Sequence, residues 1–140
     1  MTRNWGKAIM AGLIGTIVMT VVGLYVAPMI GMPKSNPAEM LAMAMGGNMM
    51  LGWIAHFMIG IILAVIYATV APSIPGPPVL RGALFGIAPW VVAMVVVLPM
   101  MGKPMFMGAM TPALGSLMGH MVFGAVVGAV YGYPEAPVTV

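Results

Sequence analysis

Cysteine is absent from the 140 residues, which excludes disulfides, thiolate nucleophiles, iron–sulfur clusters and cysteine-based zinc sites. Carboxylates are nearly absent too. Glu39 and Glu135 are the only acidic side chains, so there is no carboxylate pair for general acid–base work, and neither a Ser-His-Asp set nor a phosphate loop is present. With no catalytic constellation in view, the sequence is not expected to encode an enzyme. Charged residues amount to 5%, far below the roughly 25% of a soluble domain. What is abundant is apolar: hydrophobic residues make up 62%, the composition of an integral membrane protein whose main partner is the lipid bilayer. The basic residues Arg3, Lys7, Lys34, Arg81 and Lys103 are scattered, not gathered into a nucleic-acid surface.

Crossing a hydrocarbon core takes about 20 apolar residues, and four stretches reach that length, near Lys7 to Ala27, Met49 to Val70, Val79 to Leu98 and Pro112 to Gly132. The first also resembles a signal peptide, with Arg3 and Lys7 ahead of an apolar run, but its length marks it as a retained span. Proline-rich Pro72 to Pro78 forms a stiff turn between two hairpins. Between the first two spans, Asn36-Pro37-Ala38-Glu39 has the form of a helix start, with a cap residue, proline at N1 and glutamate at N3. It predicts a short interfacial helix up to about Met45, ended by Gly46-Gly47. The fourth span has no such prelude and is expected to be capped by Thr111-Pro112. Pro89 should kink the third span, and Trp5, Trp53, Tyr25, Tyr67, Tyr131 and Tyr133 read as interfacial anchors.

Two blocks recur. Pro28-Met29-x-Gly31-x-Pro33 returns as Pro99-Met100-x-Gly102-x-Pro104, and His56-x3-Gly60-x3-Ala64-x2-Tyr67 returns as His120-x3-Gly124-x3-Gly128-x2-Tyr131. They imply one membrane domain over residues 1–140, built from two duplicated helical hairpins, repeat 1 about 7–71 and repeat 2 about 79–133. The fold class is therefore all-α, an integral membrane four-helix bundle. Two spans per repeat return the chain to its starting side, so the repeats are parallel and related by an axis along the membrane normal. Arg3, Lys7 and Arg81 then share one face and Lys34 and Lys103 the other, which by the positive-inside rule puts both termini in the cytoplasm.

His56 and His120 are the only histidines, and an ionisable group inside a membrane span requires a reason. At 100° per residue, Gly52, His56, Gly60, Ala64 and Tyr67 form one helical stripe, and Ser116, His120, Gly124, Gly128 and Tyr131 another. One reading is close helix packing through small residues, each imidazole bonding a carbonyl or hydroxyl. Such a protein would be a structural or accessory subunit of a membrane complex without a cofactor. A second is that His56 and His120 supply two axial nitrogens to haem b for electron transfer, with Gly60 and Gly124 leaving room for the ring and Lys34 and Lys103 pairing with its propionates. A third follows from methionine, of which there are 19. Many crowd the two loops on the Lys34 side, and thioethers favour copper(I), with Met43, Met45, Met49 and Met50 as candidate ligands. Methionine is also an ordinary apolar filler.

Pro28-Met-Ile-Gly-Met-Pro33, the run Pro77-Pro78-Val-Leu-Arg81-Gly82-Ala83-Leu84-Phe85-Gly86 and the segment from Gly119-His120 to Tyr131-Gly132 together resemble a group of small bacterial four-span membrane proteins, a domain of unknown function. The resemblance runs over nearly the whole chain. It implies the bacterial inner membrane as the location, and carries no activity or ligand residues with it. Further partners would be a larger membrane redox complex or a second copy of the chain.

Overall fold

The computed structural model describes residues 3–133, and among these it contains helices and no strand. The chain runs through α1 (Trp5–Met29), the short α2 (Pro37–Ala44), α3 (Met49–Ser73), α4 (Pro78–Met100) and α5 (Met110–Tyr131). Four of them, α1, α3, α4 and α5, are long and apolar enough to cross a membrane. Glu135, expected outside the spans, lies outside the described residues.

Asparagine starts three of the helices. The side-chain oxygen of Asn4 accepts from Lys7 N at 2.9 Å, that of Asn36 from Ala38 N at 3.1 Å and that of Asn48 from Leu51 N at 3.2 Å, each satisfying an otherwise unpaired first-turn donor. Helix α2 ends as its glycines require: Gly46 and Gly47 take φ of 70° and 82°, and Gly47 N donates to Ala42 O at 2.8 Å. The start of α5 departs from the sequence reading. Ala109 occupies the cap position and no side chain caps the helix, so Thr111 lies inside the first turn instead of capping it. The preceding turn, Met105–Gly108, holds Phe106 and Met107 at left-handed φ of 52° and 57°.

Proline shapes both first helices of the hairpins in the same way. Ahead of Pro28 and of Pro99, α1 and α4 widen into five-residue π-helical turns, Val22–Val26 and Ala93–Val97. Ala27 N donates to Val22 O, and Leu98 N donates to Ala93 O. The carbonyls of Gly23 and Met94 thereby lose their usual i+4 donor, and the i+5 residue is a proline with none to offer. At Gly23 the loop supplies the missing partner, since Ser35 N donates to Gly23 O at 3.0 Å. Pro89, by contrast, sits within continuous helix; the irregular turn lies after it, where Pro99 demands it.

Large apolar side chains such as Ile14, Ile17, Ile54, Ile62, Val92 and Val96 point outward, as lipid-facing positions do, while the interior is built from Ala8, Ala11, Ala64, Ala68, Phe85, Phe123 and Val127. Two expected interfacial anchors belong to that interior. Tyr67 and Tyr131 are 0% and 3% exposed, and their rings meet edge to face at 5.9 Å and 84°. Tyr67 also packs edge-on against Phe85 at 5.4 Å. Near its end each ring's amphipathic character is thus used inside the bundle, whereas Trp5, Tyr25 and Tyr133 do stand outward. Helix α1 packs on both α3 and α5, α4 packs along α5, and α2 lies across the start of α3.

Candidate functional site: two histidine–glycine seams

The two stripes found in the sequence are the surfaces by which helices approach most closely. On α3, Gly52, His56, Gly60, Ala64 and Tyr67 are all buried. A Cβ on Gly60 would run into Thr16 Oγ1, and one on Gly12 would lie 2.8 Å from Gly60 O. On α5 the contacts are tighter. A Cβ on Gly124 would meet the Gly82 carbonyl, one on Gly128 the Pro78 carbonyl, and one on Gly86 the His120 carbonyl. These are backbone-on-backbone contacts that small residues permit in lipid. Gly60 and Gly124 therefore do not open a ring-sized gap beside the imidazoles; neighbouring helices fill that space.

Each imidazole is already bonded within the protein, and the two differ. Thr16 donates its hydroxyl to Gly12 O and Thr20 donates its hydroxyl to Thr16 O, both at 2.7 Å. The single proton of Thr20 is thus engaged, so its oxygen accepts from His56 Nε2–H at 3.0 Å. His120 uses its other nitrogen. Nδ1–H donates to Ser116 O, one turn back on its own helix, at 2.8 Å. The hydrogen-bond network assigns opposite tautomers to the two rings, leaving Nδ1 of His56 and Nε2 of His120 as the nitrogens with free lone pairs. His56 is 6% exposed and also adjoins Trp53 at 6.2 Å between ring centroids; His120 is half-buried.

The expected companions of the histidines are divided. Lys34 lies at a cavity of about 220 Å³ between α2, α1 and α5, together with Glu39 and the methionines Met40, Met43, Met107 and Met118. Lys103 is half-buried in the loop after α4 and does not line that cavity. Of the methionines expected as copper ligands, only Met43 lines it, at the rim and 58% exposed; Met45, Met49 and Met50 are 42%, 41% and 73% exposed and do not. No cluster of three or more His, Asp or Glu side chains occurs among the described residues.

Several residues escaped the sequence reading. Gly12, Thr16 and Thr20 recur at every fourth position of α1, a stripe visible in the sequence, but its meaning depends on which helix it faces. Gly82 and Gly86 are likewise four apart. Met107 could not be foreseen at the cavity, because its direction is set by left-handed backbone at a non-glycine residue.

With its spans, seams and polar contacts in place, the chain is defined as a small helical protein of the membrane-spanning class. It belongs to the family described as "Family of unknown function (DUF6789)", whose pattern it matches over residues 2–139. Neither a curated protein nor a solved structure was found to match it.

Proposed function

We propose that this chain is a non-enzymatic membrane bundle, a structural or accessory subunit, and that its duplicated His-Gly stripes are packing seams within two repeated hairpins, one between α1 and α3 and the other between α4 and α5. One observation carries the reading. The space beside the glycines that follow both histidines is filled by neighbouring helices, and Nε2 of His56 is already engaged with Thr20. Ligation of haem through His56 Nε2 would sever the Thr20 bond and would require a gap beside Gly60 and Gly124. The duplication is supported by the matching π turns ahead of Pro28 and Pro99. On this reading the polar groups of His56 and Thr20 lock α3 against α1, as interhelical hydrogen bonds do in membranes.

The test is the optical spectrum and iron content of the full chain purified from haem-replete cells. A colourless, iron-free protein whose His56→Ala and His120→Ala variants lose thermal stability without any spectral change is expected. A sharp Soret band that either substitution abolishes would overturn the packing reading and install haem b at the histidine pair.

A further inference from the structure

We propose that the cavity beneath α2 binds copper(I) through the thioethers of Met40, Met43, Met107 and Met118. This goes beyond the structural role of the seams and does not rest on it, because none of the four methionines belongs to a seam.

The four come from three separate segments: α2, the turn before α5, and α5 itself. A ligand shell gathered from three segments would tie the end of the bundle together. The turn that delivers Met107 is strained. Phe106 and Met107 are consecutive non-glycine residues in the left-handed region, which L side chains rarely adopt, and such strain collects at ligand clamps. Without metal, Met40 and Met107 pack on the buried cluster of Met94, Leu98 and Ala113, so both are held near their places in advance.

The donor chemistry selects the ion. Calcium takes six to eight oxygen ligands, and the only acidic side chain among the described residues is Glu39, on the cavity wall beside Lys34. Zinc takes histidine, cysteine or carboxylate sets, of which no cluster is present among the described residues. Thioethers are soft and uncharged, and suit copper(I).

The test is copper(I) competition between the detergent-purified full chain and a chromogenic copper(I) chelator, followed by X-ray absorption of the loaded protein. The expected result is one copper(I) per chain with a sulfur-dominated shell. Affinity should fall at least tenfold in the Met40→Leu/Met107→Leu variant and stay unchanged in Met49→Leu/Met50→Leu. Leucine conserves volume, and unaltered thermal melting identifies variants that still fold; should the double variant melt early, the shell of the wild-type protein decides. Failure of the wild-type chain to retain copper(I), a nitrogen-dominated shell, or equal loss in the two double variants would overturn the proposal.

Discussion

The imidazole of His56 gains its place from a hydroxyl ladder: Gly12 O accepts from Thr16, Thr16 O from Thr20, and Thr20 Oγ1 from His56. Each step runs along one face of α1, so the ladder converts an intrahelical pattern into a contact between helices. Nothing comparable reaches His120, whose partner is a carbonyl of its own helix. The same residue type at matching places in the two recurring sequence blocks therefore has two different roles, one joining helices and one satisfied locally. Nitrogen-15 NMR of the imidazoles should resolve an Nε2–H tautomer for His56 and an Nδ1–H tautomer for His120; identical tautomers would contradict the network. Thr20→Val should lower stability by about 1 kcal/mol, within the range for interhelical hydrogen bonds in membranes, and should do so only while His56 is present. A double-mutant cycle with His56→Ala, read by unfolding in detergent, checks that coupling.

At the scale of the element, the two π turns show how one sequence block can be used with different completeness. Gly23 and Met94 occupy matching positions ahead of Pro28 and Pro99, and both carbonyls are stranded by the same proline chemistry. At Gly23 the loop approaches so closely that a Cβ would stand 2.6 Å from Ser35 O; glycine is what allows Ser35 N to reach the carbonyl. Met94 carries a side chain, against which Met107 of the returning loop packs, and no loop N–H donates to its carbonyl. Pro99→Ala, which restores an N–H at the i+5 position, should therefore raise thermal stability by about 1 kcal/mol, the net worth of an ordinary hydrogen bond. Pro28→Ala should give a smaller gain, because Ser35 already satisfies Gly23. Equal shifts in melting temperature for the two variants would remove this account. The glycines of the seams can be ranked in the same way. Gly82→Ala or Gly124→Ala drives a methyl into an opposing carbonyl and should cost about 1–3 kcal/mol or more. Gly115→Ala meets nothing nearer than Met32 Cβ at 3.8 Å and should be neutral or mildly stabilising. Thermal unfolding of the three variants reads the difference directly.

For the whole molecule, helix number and span limits were legible because crossing a membrane leaves a strong apolar signature, and α2 was legible from Asn36-Pro37 and Gly46-Gly47. Partnership was not. A stripe such as Gly12, Thr16, Thr20 states that a helix packs closely, but not against which neighbour, and α1 faces both α3 and α5 while α4 packs along α5. Tyr67 and Tyr131 were misread for the same reason, since a tyrosine near a span end looks alike whether it turns to the interface or to the bundle axis. Chain direction follows from the fold itself. Trp5, Ser73, Pro78 and Tyr131 end their helices on one side, and Met29, Met49, Met100 and Met110 on the other, which places Lys7, Arg81 and Arg3 together, with Arg81 stacked over Tyr133 at 5.7 Å. Lys34 and Lys103 occupy the opposite end. Three cations against two bias the Arg3 end toward the cytoplasm, and the bias is small enough to be reversed. Reporters fused after Val140 and inserted near Lys34 should register on opposite sides of the membrane, with the Val140 reporter cytoplasmic. Replacing Arg3 and Lys7 by glutamine while adding two lysines beside Lys34 should invert both reporters together. A change in only one of them would mean that a span had left the membrane, and would rule out a bundle that reorients as a single unit.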